Sequence, residues 1–394
     1  PMNTIDLENA LEIPTYSKMP MALVRGEGSY VWDESGNRYL DFYGGHCVAL
    51  LGHCPPRVVK AVQEQAEKLL FYSNVAHSPV RAEAAQKLTA LAPEGEDWSV
   101  FFANSGSEAN ETALKLARTS TGRSRVVAMQ EGFHGRTIGS LATTYKASYR
   151  EPYLDILPDT TFVPLGDASA VAEELSAGDV AAVILEPIQS IAGMRMADTG
   201  FVQELRALCD AHDTCLIFDE VQTGVGRTGT FSMSDHFGVR PDLISLAKSL
   251  GAGVPVSAVL VADAVAQTVE PGDQGSTFGG GMLAMAAVSA ALDTLVDDNL
   301  MERATEIHMQ IQEQVGPHVA EVRGKGCLIG LRLDRPAAPV KSALLEHGVL
   351  VGTSADPHVL RIMPPLTSTD EDVALFAETF ATVMQQEDPV LQNS

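Results

Sequence analysis

The sequence predicts an α/β protein: a mostly parallel sheet with helices on both faces, joined to a smaller α+β domain. Three observations carry this. From about residue 100, short apolar runs alternate with helical segments, the pattern of strands buried on both faces of a parallel sheet. Polar residues stand at the ends of those runs, where open α/β sheets hold their ligands. After about residue 285 helices dominate and strands become sparse. The expected division is an N-terminal arm over 1–55 that shares in the small domain, a large domain over 56–285, and a C-terminal small domain over 286–394.

Taken in order, Ser29 to Asp33 and Arg38 to Phe42 flank Glu34-Ser-Gly-Asn37 and read as a hairpin. Pro55-Pro56 opens a helix, since proline is tolerated in the first turn. Val58, Val62, Ala66 and Leu69 form one apolar stripe along it. Val100 to Ala103 is a strand, Asn104 to Ser107 a turn, and Glu108 to Arg118 a helix. Strands follow at Val126 to Met129, Val180 to Leu185, Cys215 to Phe218, Leu243 to Leu246 and Pro255 to Val261, with a helix at Phe201 to Ala211. Leu283 to Met309 reads as one long helix. Beyond it come strands at Leu328 to Leu331, Val349 to Val351 and Leu360 to Ile362, and helices at Val340 to Glu346 and Asp370 to Gln385.

Composition narrows the class of function. The 394 residues carry 51 acidic against 27 basic side chains, a formal net charge of −24. With no Lys/Arg cluster, such a surface repels a phosphate backbone, so nucleic acid is not an expected partner. The acidity has two open readings, solubility through charge repulsion and an acidic proteome adapted to high salt, where screening is strong. No apolar run is long enough for a membrane helix and no leader pattern opens the chain, so a cytoplasmic location is expected. The five cysteines form no CxxC pair, and the histidines are not spaced as metal ligands; neither a disulfide framework nor a metal is expected.

Three features carry chemistry. Asn104-Ser-Gly-Ser107 follows a strand and opens a helix, where amide N–H groups and the helix dipole favour a phosphate. Ser105, Gly106 and Ser107 are the donors; the alternative is an ordinary helix cap by Asn104 or Ser107. Asp219 ends an apolar strand; it is either an ordinary charged strand terminus or, where a ring nitrogen is bound, the carboxylate that keeps that nitrogen protonated. Lys248 lies 29 residues later in a locally apolar segment, and is one of only nine lysines. The alternatives are an ordinary solvated lysine and a desolvated one at the sheet mouth, suited to Schiff-base chemistry. Neither a P-loop nor a dinucleotide fingerprint is present.

Those residues sit within longer stretches: Gly52-His53, Asn104-Ser-Gly-Ser-Glu-Ala-Asn110, Phe133-His-Gly-Arg-Thr137, Glu186-Pro-Ile-Gln189, Phe218 to Gly229, Leu246-Ala-Lys248 and Gly275-Ser-Thr-Phe-Gly-Gly280. In that order, over about residues 20 to 380, the sequence resembles the ornithine-type, class III, pyridoxal-phosphate aminotransferases of fold type I. Within that group it most resembles the acetylornithine aminotransferases. The resemblance implies a seven-stranded, mostly parallel sheet and pyridoxal 5'-phosphate as cofactor. It implies that Lys248 carries the cofactor covalently and that Asp219 pairs with the ring nitrogen. Phe133, with His134 beside it, and Val221 would cover the two ring faces. Gln222 would reach the ring's phenolic oxygen, and Glu186 would support the pocket. Ser105, Gly106 and Ser107 would bind the phosphate. Thr277 would reach the phosphate of a neighbouring subunit, which implies a homodimer with composite sites, or a tetramer built from it. Arg136 and Arg361 would bind substrate carboxylates, as a guanidinium fork matches a carboxylate.

Departures from the family pattern matter for the substrate. Family members usually carry a Gly-Glu pair soon after Glu-Pro-X-Gln, and that glutamate masks the arginine equivalent to Arg361. Here Ile191 occupies the glutamate's place. An isoleucine cannot mask Arg361, which favours a donor with an α-carboxylate near the cofactor. Gly44-Gly-His46-Cys47 replaces small or aliphatic residues, and His46 either faces the substrate or is a satisfied arm histidine. Gly280-Gly-Met282 replaces Gly-Asn-Pro. The expected activity is amino transfer from N-acetylornithine, a related ω-amino acid or an α-amino acid to 2-oxoglutarate or pyruvate. The rivals are an aminomutase or racemase on the same scaffold, and a non-catalytic cofactor-binding or structural relative.

Overall fold

The structure is a computed structural model that describes residues 3–95 and 97–385. The end of the expected 286–394 segment beyond 385 therefore lies outside the described residues. Seven strands form the central sheet: β1 (Trp98–Ala103), β2 (Arg125–Met129), β3 (Thr160–Val163), β4 (Val180–Leu185), β5 (Cys215–Asp219), β6 (Leu243–Leu246) and β7 (Ser257–Ala262). Their order is β1-β7-β6-β5-β4-β2-β3. β7 runs antiparallel to both neighbours and the other pairs are parallel. The mostly parallel sheet expected from the sequence is present.

Every residue of β4, β5, β6 and β7 is buried, which is why these strands read as continuous apolar runs rather than alternations. Successive side chains serve opposite faces. Ala182, Ile184 and Ile217 pack with Ala109, Ala113 and Leu116 of the helix Gly106–Thr121. Val183, Leu185, Leu216 and Phe218 pack with Phe201, Val202 and Leu205 of the helix Thr199–Ala211. Helices thus cover both faces. The sequence reading missed β3, a four-residue edge strand that is only partly buried and has no apolar run of its own.

The C-terminal part forms an antiparallel sheet of Glu321–Lys325, Leu328–Arg332, Val359–Ile362 and Gly352–Thr353. The arm hairpin Tyr30–Asp33 with Arg38–Asp41 is joined by Val349–Leu350, which runs parallel to its second strand. Ser29 and Tyr30 donate hydroxyl hydrogen bonds of 2.9 and 2.6 Å to Asp372 in the last helix, Asp370–Gln385. The arm is therefore tied to the C-terminal segment by backbone and side chain.

Two expectations are corrected. The helix expected over Leu283 to Met309 is two helices, Met282–Asp297 and Leu300–Gln314. Asn299 breaks it with φ +52°; asparagine tolerates the left-handed region better than most residues. In the helix Pro56–Lys68 only Val58 of the apolar stripe is buried, while Ala66 and Leu69 are exposed on this chain. Among the described residues no helix is long and apolar enough to cross a membrane.

Candidate active site

Three chain segments meet at the carboxyl end of the sheet. Asp219 closes β5, Lys248 follows β6 by two residues, and the helix Gly106–Thr121 starts just after β1. They line a cavity of about 450 Å³ together with His46, Phe133, His134, Glu186, Val221 and Gln222. Of the other residues singled out in the sequence, Arg361, which is buried, and Ile191, which is half-buried, are not among its lining. Arg136 and Thr277 are exposed and do not line it.

The helix start is a capping box. Ser105 Oγ accepts from Glu108 N–H at 3.3 Å, and Glu108 Oε2 accepts from Ser105 N–H at 3.1 Å. The cap is therefore Ser105, not Asn104 or Ser107, and the Ser105 amide is already committed to Glu108. The N–H groups of Gly106 and Ser107 occupy the first turn, where an α-helix supplies no internal acceptors. A Cβ on Gly106 would come within 2.9 Å of Val221 Cγ1, so the absent side chain lets helix and Val221 approach closely.

Asp219 is 4% exposed and is held by three donors. Asn110 Nδ2 and His134 Nδ1 each lie 2.7 Å from Oδ2, and Val221 N–H donates to Oδ1 at 3.1 Å. Asn110 also donates to the His134 carbonyl at 2.7 Å. Asn110 was missed as a functional residue. Its signal was spacing: it follows Ser107 by three positions on one helix face. Glu186 accepts from Phe133 N–H at 2.8 Å, and burial pushes its carboxyl up to about 7.

Lys248 has φ +43°, in the left-handed region. Burial is the main cause that lowers its amine below the ordinary lysine range. The nearby charge of Arg361 acts in the same direction, while Cys47, Asp219 and Glu186 oppose it.

Arg361 is 5% exposed. Its Nε donates to the Thr353 carbonyl at 2.6 Å and Nη1 to Ser190 Oγ at 3.1 Å. Among the described residues no carboxylate lies within ion-pair distance of it. Ile191 holds the neighbouring loop through its carbonyl, which accepts from Ala355 N–H at 2.7 Å. Ser190 and Thr353 were not foreseen, because a serine and a backbone carbonyl leave no sequence signal. His46 hydrogen-bonds the Tyr43 hydroxyl through Nδ1. Burial, then the charges of Lys248 and Arg361, push its imidazole down to about 4, so it is neutral at pH 7. The Arg136 guanidinium stacks over Tyr149 at 3.3 Å, and Tyr149 in turn meets Phe133 edge-on. Thr277 lies in a loop whose Ser276 accepts from Asn104 Nδ2 at 3.2 Å.

The residues fit a phosphorylated pyridine. One end of the cavity has a helix N-terminus for an anion, its floor a fixed carboxylate, and its wall an aromatic ring and a buried amine. Gln222 Oε1 and His134 Nε2 are buried there with no protein partner. Such a site, at the carboxyl edge of this sheet, defines a pyridoxal-phosphate enzyme of fold type I. The comparisons agree. A family model for aminotransferase class-III matches residues 13–384. The acetylornithine aminotransferase of Methanopyrus kandleri is 46% identical over 94% of this chain and 96% of its own length. Among solved structures, an ornithine aminotransferase from Toxoplasma gondii with partial occupancy of pyridoxal phosphate superposes with TM-score 0.89 at 31% identity, covering 97% of this chain and 94% of that one. Acetylornithine aminotransferase from Elizabethkingia anophelis superposes with TM-score 0.82 at 32% identity, covering 96% and 97%. The chain belongs to the class III aminotransferases. It is a pyridoxal-phosphate-dependent transaminase of amino-acid metabolism.

Proposed function

We propose that the enzyme moves the amino group of a donor whose α-carboxylate is held by Arg361, with 2-oxoglutarate or pyruvate as acceptor. The observation that carries this is a buried Arg361 with no carboxylate partner among the described residues, bonded to Ser190, which precedes Ile191 rather than a glutamate in the chain. An arginine left open offers its fork to a carboxylate in both half-reactions. The names of the relatives make N-acetylornithine the first ω-amine to compare with α-amino donors.

The cofactor would be held by the N–H groups of Gly106 and Ser107 at its phosphate, Phe133 and Val221 on its faces, Gln222 at its phenolic oxygen and Asp219 at its ring nitrogen. When bound, pyridoxal phosphate supplies the electron sink and carries the amino group between half-reactions. Lys248 Nζ, whose basicity burial lowers, takes the proton from the amine-bearing carbon and returns it in the reverse half-reaction. Arg361 orients the carboxylate, and Arg136, exposed and next in the chain to the cavity-lining Gly135, is the candidate for a second one. His46, neutral and next to Tyr43, offers the substrate an uncharged imidazole.

The exposed apolar residues Leu69, Leu70, Tyr72 and Phe278 support a homodimer in which Thr277 reaches the partner's phosphate. The chain divides into the arm with the C-terminal segment and the large domain between them, and it acts in the cytoplasm. The test is single-turnover loss of the visible absorption of the bound cofactor with glutamate, alanine, ornithine and N-acetylornithine. Faster reaction with glutamate or alanine supports the reading; a strong preference for either ω-amine overturns it.

A further inference from the structure

Arg227 is the largest fully buried side chain among the described residues, with 0% exposure. It lies in Gly224-Val-Gly-Arg-Thr-Gly229, in the loop that leaves β5 after Asp219. Among the described residues no carboxylate is within ion-pair distance of it. Its Nη1 donates to the main-chain carbonyls of Pro364 at 2.5 Å and Cys327 at 3.4 Å. The Cys327 N–H donates back to the Arg227 carbonyl at 2.8 Å. Nε and Nη2 are buried without a protein partner.

Burying an unpaired guanidinium costs several kcal/mol, and a methionine of similar length would avoid that cost. What the side chain grips points to the reason. Pro364 follows Arg361 by three residues. The same segment is held from the other side by the arm, where Met363 N–H donates to the Phe42 carbonyl at 2.6 Å and Leu366 N–H to the Leu50 carbonyl at 2.8 Å. The loop bearing Arg227 is itself stiff: Gly224 N–H donates to the Glu220 carbonyl at 3.0 Å, and Thr228 Oγ1 to the Thr223 carbonyl at 3.1 Å. A short rigid path therefore runs from Asp219 through Arg227 and Pro364 to Arg361.

We propose that Arg227 is a positioning residue for substrate binding: through the Pro364 carbonyl it sets the strand carrying Arg361 at a fixed distance from the strand ending in Asp219. This rests on the reading that Arg361 binds the α-carboxylate. Both carboxylate substrates, amino donor and oxo acid, depend on that spacing. A misplacement of about 1 Å costs on the order of 100-fold in rate.

The experiment uses the holoenzyme and the variants Arg227→Met, Arg227→Lys and Arg361→Lys. Single-turnover loss of the visible cofactor absorption is followed with glutamate and with 4-aminobutyrate, which is glutamate without its α-carboxylate. Arg227→Met is expected to raise the half-saturating glutamate concentration by about tenfold or more while 4-aminobutyrate changes by less than about threefold. Arg227→Lys, which keeps one donor for Pro364, is expected to recover part of the loss. Equal losses with both donors, or no loss with glutamate, overturn the proposal. If Arg227→Met does not yield folded holoenzyme, the donor ratio of Arg227→Lys decides by the same criterion. Arg361→Lys separates the two readings. A glutamate-selective loss there without one at Arg227 refutes the positioning role alone, and an unselective Arg361→Lys overturns both.

Discussion

His134 and Asp219 form a buried pair, the imidazole Nδ1 2.7 Å from Oδ2, and the Asn110 amide donates to the same oxygen at the same distance. Both donors are linked, because Asn110 also holds the His134 carbonyl. The carboxyl proposed to face the cofactor's ring nitrogen is thus oriented from a helix and a loop at once. Removing a hydrogen bond to a charged group costs about 1.5–3 kcal/mol. Asn110→Ala is expected to lower kcat by about 10- to 100-fold, since each 1.36 kcal/mol is tenfold. Losses in Asn110→Ala and His134→Phe should not add, because the two share a network. A double-mutant cycle on kcat checks this, and additive losses would show that the two donors act independently.

Lys248 stands in the wall of the cavity, where burial has lowered its basicity. Lys248→Ala is expected to abolish turnover and to leave the cofactor bound non-covalently. Mass spectrometry after borohydride reduction should then show no covalent adduct, and turnover near the wild-type rate would refute the role of Lys248.

Ile191 neighbours Ser190, the hydroxyl that accepts from Arg361. Ile191→Glu introduces a carboxylate one residue along the chain from that hydroxyl, and an opposite charge that reaches Arg361 forms an ion pair. The ratio of single-turnover rates for ornithine over glutamate is expected to rise about tenfold or more. An unchanged ratio would show that position 191 does not control access to Arg361.

Glu220 is buried beside Asp219, and burial pushes its carboxyl up to about 7 from an ordinary 4.5. Its partners Ser232, Met233 N–H and Thr223 oppose that rise without cancelling it. The folded state then keeps a proton that the unfolded state releases between those two values. Stability contributed by this group is greatest at low pH and falls as pH rises from about 4.5 to about 7, by up to about 3 kcal/mol, and is level above. Glu186 shifts in the same direction, so the informative quantity is wild type compared with Glu220→Gln. Chemical denaturation at pH 5 and pH 8 is expected to show a smaller drop for the variant; equal drops would refute the titration.

Strand interiors and the residues that end them were legible because both are local properties. A strand buried on both faces is mostly apolar, so β4 to β7 announced themselves, and Asp219 and Lys248 stood out as polar groups at or just past the ends of such runs. The Asn104 to Asn110 stretch showed a helix start, since capping residues act within one turn. The break at Asn299 and the edge strand β3 did not show, because one depends on a single residue's dihedral and the other on a neighbouring strand. Partners far apart in the chain were beyond reach altogether. Ser190 meets Arg361 across 171 positions and Arg227 meets Pro364 across 137. The acceptors of these two guanidinium groups are a hydroxyl and a main-chain carbonyl, groups present everywhere in the chain, so only the path of the folded backbone selects which of them meet.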